Sequence, residues 1–285
     1  MALVDVLLQV GLVVALGHLL AFLIVVGWDP RPTASDEPRL RYRLRRNLRE
    51  VMPTLGVLAV VLTINKVVRD IGVELSWLLG VNLTRYIYLL ESQFVAVLQS
   101  YANPLLTTYF GFVYIFGYTF LLTFPVLAYA VYERSQPLRV LLLTYILNYG
   151  IGVVCYVLVV AYGPRNYMPE LVEPLLYTSW PQSQLLVAQV NVNTNVFPSL
   201  HTSLSATVAL VAYRFRSIYP RWLPIATVLA VSIIISTMYL GIHWATDVVA
   251  GIIVAAASVE LAVRIDDGRL AESVRRWRSR DSVSE

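Results

Sequence analysis

Apolar residues in this chain fall into long runs, separated by short polar stretches in which arginine recurs. Runs of about 18 or more residues with almost no charge mark helices that cross a bilayer, since a helix satisfies its own backbone in hydrocarbon. The pattern predicts spans over 3–28, 51–67, 105–132, 140–162, 199–216, 223–240 and 245–263. The fifth run would make roughly 28 Å of helix, close to the ~30 Å hydrocarbon core. Between the second and third spans the pattern changes. Ile87, Leu90, Phe94, Val97 and Tyr101 recur at helical spacing, with Glu91, Gln93 and Gln99 off that face. That periodicity predicts an amphipathic helix lying in the interface. The expected fold is all-α, a polytopic transmembrane helical bundle of six to seven spans with one interfacial helix. No internal repeat or low-complexity segment interrupts it. An N-terminal anchor and basic loop (1–50), a membrane-embedded core (51–264) and a basic tail (265–285) are expected.

Composition narrows the class. With 58% hydrophobic and 14% charged residues, a soluble domain is excluded. The lone Cys155 lies in an apolar run, which rules out a disulfide framework. The first run lacks a positive n-region and a small-residue cleavage site, so it reads as a retained anchor and not a signal peptide. His18 within it reads as a helix-packing residue. The sequon Asn82-Leu83-Thr84 carries no weight, because such triplets are common by chance.

A sequence pI of about 9.2 invites a nucleic-acid partner. The placement of the arginines argues against one. Segments 31–49, 134–139, 214–221 and 264–285 hold 18 of the 22 basic residues, leaving Lys66, Arg69, Arg85 and Arg165 for the other side. Positive charge stays cytoplasmic, so seven crossings place the N-terminus outside and the C-terminus inside. On that topology His201, His243 and Arg165 meet at the outer face of a cell-membrane protein.

Two of the three histidines flank long apolar runs, in Phe197-Pro198-Ser199-Leu200-His201 and in Ser236-Thr237-Met238-Tyr239-Leu240-Gly241-Ile242-His243-Trp244-Ala245-Thr246-Asp247. Pro198 suits a first helical turn, which would set Ser199 and His201 beside free amides that favour phosphate. His243 and Asp247, spaced i, i+4, would share a helix face, with the carboxylate fixing the imidazole tautomer. Arg165, in the 35-residue stretch 163–197, adds a guanidinium, and Ser236 a hydroxyl. This set suits phosphoryl transfer without a metal: arginine and amides clamp oxygens, His243 attacks phosphorus and His201 protonates the leaving oxygen. Two rivals use the same residues. A metal-dependent hydrolase would take His201, His243 and Asp247 as ligands, and a transporter would set them on an ion path, with Glu260 as an ionisable group inside a span.

The two histidine motifs resemble the second and third signatures of the type-2 phosphatidic acid phosphatase superfamily, most closely its inositol phosphorylceramide synthase branch. The resemblance implies a helical bundle acting without cofactor or metal through a phosphohistidine, on a lipid phosphate or phospholipid. It makes His243 the nucleophile, Asp247 its partner, His201 the acid, and Ser199 and Ser236 phosphate ligands. Two departures stand out. Thr237 replaces the arginine that usually follows the serine of the third motif. The first motif, Lys-x6-Arg-Pro, is absent, and Pro164-Arg165 resembles the variant of the synthase branch. The acceptor is then water or a polyol such as inositol.

Overall fold

The computed structural model describes residues 2–27, 40–185 and 195–268. Residues 31–39 of the first basic segment, 269–285 of the tail, and Asn191 and Asn193 of the 163–197 stretch lie outside the described residues. α1 (Ala2–Ala21) continues through a π-helical turn (Phe22–Val26), followed by α2 (Leu40–Leu79). Then come β1 (Val81–Asn82), α3 (Thr84–Glu91) and α4 (Phe94–Gln99). α5 (Pro104–Phe112) and α6 (Tyr118–Ala130) are joined by a second π-helical turn, Val113–Gly117. α7 (Gln136–Leu158) leads to β2 (Val159–Val160), α8 (Pro164–Tyr167) and α9 (Leu175–Ser179). α10 (Leu200–Arg214), α11 (Trp222–Tyr239) and α12 (Ala245–Asp266) complete the described elements.

Among the described residues six helices are long and apolar enough to cross a membrane: Leu3–Val26, Leu40–Val68, Pro104–Ala130, Gln136–Leu158, Trp222–Tyr239 and Ala245–Asp266. The protein is an all-α polytopic bundle. Leu8, Leu12 and Leu16 of α1 stand exposed, as side chains that face lipid do. The expected span over 199–216 is α10, and it is shorter than expected at 15 residues, about 22 Å of helix. α10 lies inside the bundle, packed on α7, α11 and α12. Its Ser203, Ser205 and Thr207 are buried there, away from lipid. Asn148 of α7 receives the Ser203 hydroxyl and donates to Thr207 Oγ1 at 3.0 Å. Buried polar contacts and small residues are how helices adhere where no hydrophobic drive separates them from lipid. A Cβ on Gly251 would come 2.7 Å from the Ser199 carbonyl oxygen, so glycine is what lets α12 approach the start of α10.

Three further expectations are corrected. The basic stretch 40–49 is not a loop: α2 begins at Leu40 and runs through Pro53. Asn47 ties its start to the 130–132 turn through Ala130 O (3.0 Å) and Tyr132 O (2.7 Å). The amphipathic segment is two short helices, broken at Ser92, whose φ is 51°. Leu90, Phe94, Val97 and Tyr101 do present an exposed apolar face, whereas Ile87 is buried. Pro198 stands outside α10, because Ser199 is the N-cap. His18 bonds at both ring nitrogens, to Val14 O (2.7 Å) and Thr123 Oγ1 (3.1 Å). Glu260 pairs with Arg264 at 2.7 Å on the exposed face of α12.

Candidate active site

The site forms where α11 ends and α12 begins. α11 closes in a Schellman motif: Gly241 N–H donates to Met238 O (2.9 Å) and Ile242 N–H to Thr237 O (3.1 Å). Gly241 takes φ +71°, which costs a glycine little. His243 N–H adds a third bond, to Thr237 O at 3.0 Å. His243 is therefore held in a turn ahead of α12 and is not on the helix, a correction to the shared-face expectation. The i, i+4 pair still meets, for another reason. Asp247, three residues into α12, reaches back so that its Oδ2 accepts the Trp244 N–H (2.9 Å) and lies 3.4 Å from His243 Nδ1. The alignment at Nδ1 falls short of a hydrogen bond, and both Nδ1 and Asp247 Oδ1 are buried without a bonded partner. The arrangement turns Nε2 of His243 away from the carboxylate, which leaves that nitrogen for chemistry.

Trp244 anchors the turn. Its buried indole donates to Tyr162 O at 2.8 Å, with the rings of Tyr88 and Tyr167 against it. Truncating such a ring typically costs about 3–5 kcal/mol.

Arg165 sits across the same turn. Its N–H donates to Gly241 O at 3.1 Å, and a Cβ on the nearby Gly163 would fall 2.4 Å from Ile242 O. The guanidinium is buried. One nitrogen, Nη2, reaches Tyr177 Oη at 3.1 Å, while Nη1 has no partner. A buried cationic donor without an acceptor costs at least about 1–3 kcal/mol, and an arriving anion would recover that.

His201 comes from α10. Its ring stacks on Tyr114 (centroids 4.4 Å, 15°) and leans on Tyr118 (4.2 Å, 33°). Tyr114 lies within the π-helical turn of the Pro104–Ala130 span and Tyr118 directly follows it, a distortion often found at functional sites. Tyr114 also lies in the field of Arg165, and His201 in that of His243. Ser199 Oγ accepts the Thr202 N–H at 3.3 Å, and Ser199 N–H donates to Asp247 O at 3.1 Å. These contacts gather Arg165, Ser199, His201, His243 and Asp247 at one pole of the bundle. Ser236 is not brought in, since its hydroxyl turns back onto Ile233 O at 2.6 Å within α11. Among the described residues no three His, Cys, Asp or Glu side chains gather as a metal set.

Sequence reasoning passed over Tyr114, Tyr118 and Tyr177, and set Glu91 and Gln99 aside as the polar back of an amphipathic helix. Only Glu91 and Gln99 left a signal, as charged or amide groups beside an apolar stripe. A cleft of about 700 Å³ is lined by Asn82, Arg85, Tyr86, Tyr162, Asn166 and Tyr167 among others, and its Tyr162 and Tyr167 contact Trp244, the residue after His243.

The fold and site define an integral membrane protein with an imidazole–carboxylate pair, a second imidazole and a buried guanidinium with one unpartnered nitrogen at one pole. The chain belongs to the PAP2 superfamily, whose family model matches residues 86–261 and thus every site residue named above. Membership points to phosphatase-type chemistry on lipid phosphates in a membrane. No curated protein and no solved structure matches the chain.

Proposed function

We propose that this protein is a lipid-phosphate phosphatase or phosphotransferase acting through a phosphohistidine at the outer face of the membrane. The observation that carries the reading is Arg165 Nη1, a buried cationic donor without a partner, on a residue whose backbone N–H bonds Gly241 O, two residues before His243. Arg165, the Ser199 hydroxyl and the amides of Leu200 and His201 would hold the non-bridging oxygens. Nε2 of His243 attacks phosphorus, the P–O ester bond breaks, and His201 gives its proton to the departing alkoxide. Asp247 stabilises the imidazolium as it forms. An acceptor hydroxyl then breaks the P–N bond, with His201 as base. No step needs a metal or cofactor.

The acceptor separates two outcomes. Water makes the protein a phosphatase. A polyol such as inositol makes it a phosphotransferase, and the likeness of Pro164-Arg165 and Thr237 to the synthase branch supports transfer over hydrolysis. The cleft lined by Arg85, two asparagines and three tyrosines favours the second, since amides and ring faces suit a polyhydroxylated head group. Incubating purified protein with phosphorylated lipids, with and without inositol, under mass spectrometry tests both. Free phosphate alone supports the phosphatase; an inositol-bearing product supports transfer; neither product overturns the proposal. Orientation is tested separately: after Cys155→Ala, a cysteine placed at 170 should react with an impermeant thiol reagent on intact cells. Protection there would move the site to the cytoplasm.

A further inference from the structure

We propose that Glu91 and Gln99 are positioning residues for the reaction, holding the His243 turn at both of its ends from the α3–α4 pair. The inference rests on His243 as the reacting group. The turn is short, with only Leu240 to Trp244 between the last residue of α11 and the first of α12. At its far end the Glu91 carboxylate accepts the N–H of Ala245 at 2.8 Å and that of Thr246. At its near end Gln99 Nε2 donates to Tyr239 O at 2.9 Å. The same amide closes a two-way bond with the Glu173 backbone, donating to its oxygen (3.0 Å) and accepting its N–H (2.9 Å). Gln99 thereby also fixes the segment that follows Arg165. The fit leaves no slack: a Cβ on Gly241 would lie 3.1 Å from Gln99 Nε2.

Glu91 has a second consequence. The first amides of a helix attract anions, and at α12 those amides already hold a carboxylate. A phosphate is thus turned away from α12 and toward Arg165 and the start of α10, opposite the attacking nitrogen. The helix pair can serve as a fixed support because its other side, Leu90, Phe94 and Val97, is exposed and apolar and beds in the bilayer interface.

The test is Glu91→Gln and Gln99→Leu in protein reconstituted into phosphatidylcholine vesicles containing phosphatidic acid. The measurements are kcat, KM, the melting temperature and hydrogen exchange at the Ala245 and Thr246 amides. Glu91→Gln removes the charge but keeps one acceptor oxygen. It should lower kcat about tenfold with KM and melting temperature little changed, since small misplacements of a reacting group are costly. Exchange at the two amides should rise about tenfold. Gln99→Leu should show the same split between kcat and KM without faster exchange at those two amides. Unchanged kcat in both variants would overturn the proposal, as would a fall in kcat that simply tracks lost thermal stability. Should Glu91→Gln fail to fold, Glu91→Asp, with the same charge on a shorter stem, carries the same split. If the wild type turns over no phosphatidic acid while its two amides are protected, that lipid falls as substrate and the positioning is then read on nitrophenyl phosphate.

Discussion

The starts of α10 and α12 each carry a histidine, lie at the same pole and touch through Ser199 N–H and Asp247 O, yet they complete their free amides in opposite ways. At α12 two carboxylates do so, Asp247 on Trp244 N–H and Glu91 on Ala245 and Thr246 N–H. At α10 a neutral hydroxyl caps one amide, Thr202 N–H. Among the described residues no bond is made to the N–H groups of Leu200 and His201. A helix start saturated with negative charge cannot also draw a phosphate, whereas one capped by serine can. In the mechanism we propose, the two ends would divide the work: acids at α12 would hold and polarise the nucleophile, and open amides at α10 would receive the anion beside the proton donor.

Breaking the α12 end should have the largest effect. His243→Ala should lower turnover by on the order of 10⁴-fold or more on every substrate, since no other described group offers a nucleophile with an orienting carboxylate. Acid-quenched enzyme should trap a phosphoenzyme in the wild type and none in the variant. A phosphoenzyme in His243→Ala would assign the nucleophile elsewhere. Asp247→Asn is the finer probe of the same end, because an amide oxygen can still accept the Trp244 N–H while the charge is gone. A loss of roughly 10³–10⁴-fold with an intact fold is expected by analogy with the serine-protease aspartate. A loss below about tenfold would leave Asp247 as a helix cap only.

At the α10 end the effect depends on the leaving group. His201→Ala should cost about 10²–10⁴-fold on a lipid phosphate, whose alkoxide needs a proton. Nitrophenyl phosphate leaves as a stabilised anion, so the same variant should recover most of its rate there. Equal losses on the two substrates would make His201 a phosphate ligand instead of an acid. Ser199→Ala should be the mildest change. It removes one cap, worth about 1 kcal/mol of stability, and should raise KM a few-fold with kcat nearly unchanged. A kcat loss comparable to that of His201→Ala would erase the distinction between cap and catalyst.

Much of this was legible without coordinates, and the reason is the bilayer. Hydrocarbon forces each crossing segment to read as a long apolar run, so the order of the apolar helices and the Gly241 break could be read from pattern alone. The histidine motifs were legible because ionisable residues at the edge of such runs are scarce. α10 was read as longer than it is, because hydropathy cannot tell a lipid-facing helix from a short one whose serines and threonines are buried against neighbours. The start of α2 was read as loop because its arginines interrupt the apolar run, although Arg is a good helix former.

Sequence by itself determined the class of fold, the two histidines with Asp247, and the kinship with the PAP2 superfamily, since each is local in the chain or carried by polarity. Only the tertiary structure decided which groups support them. Tyr114 and Tyr118 lie more than 80 positions from His201, Gln99 is 140 from Tyr239 and Glu91 is 154 from Ala245. A carboxylate or amide that satisfies a distant backbone leaves no periodic trace, because its partner is a peptide group that every residue possesses. Ser236 teaches the converse. Its motif position is right, but the helix offered its hydroxyl a nearer acceptor at Ile233 O, and in a membrane the nearest unfilled hydrogen bond decides where a polar side chain turns.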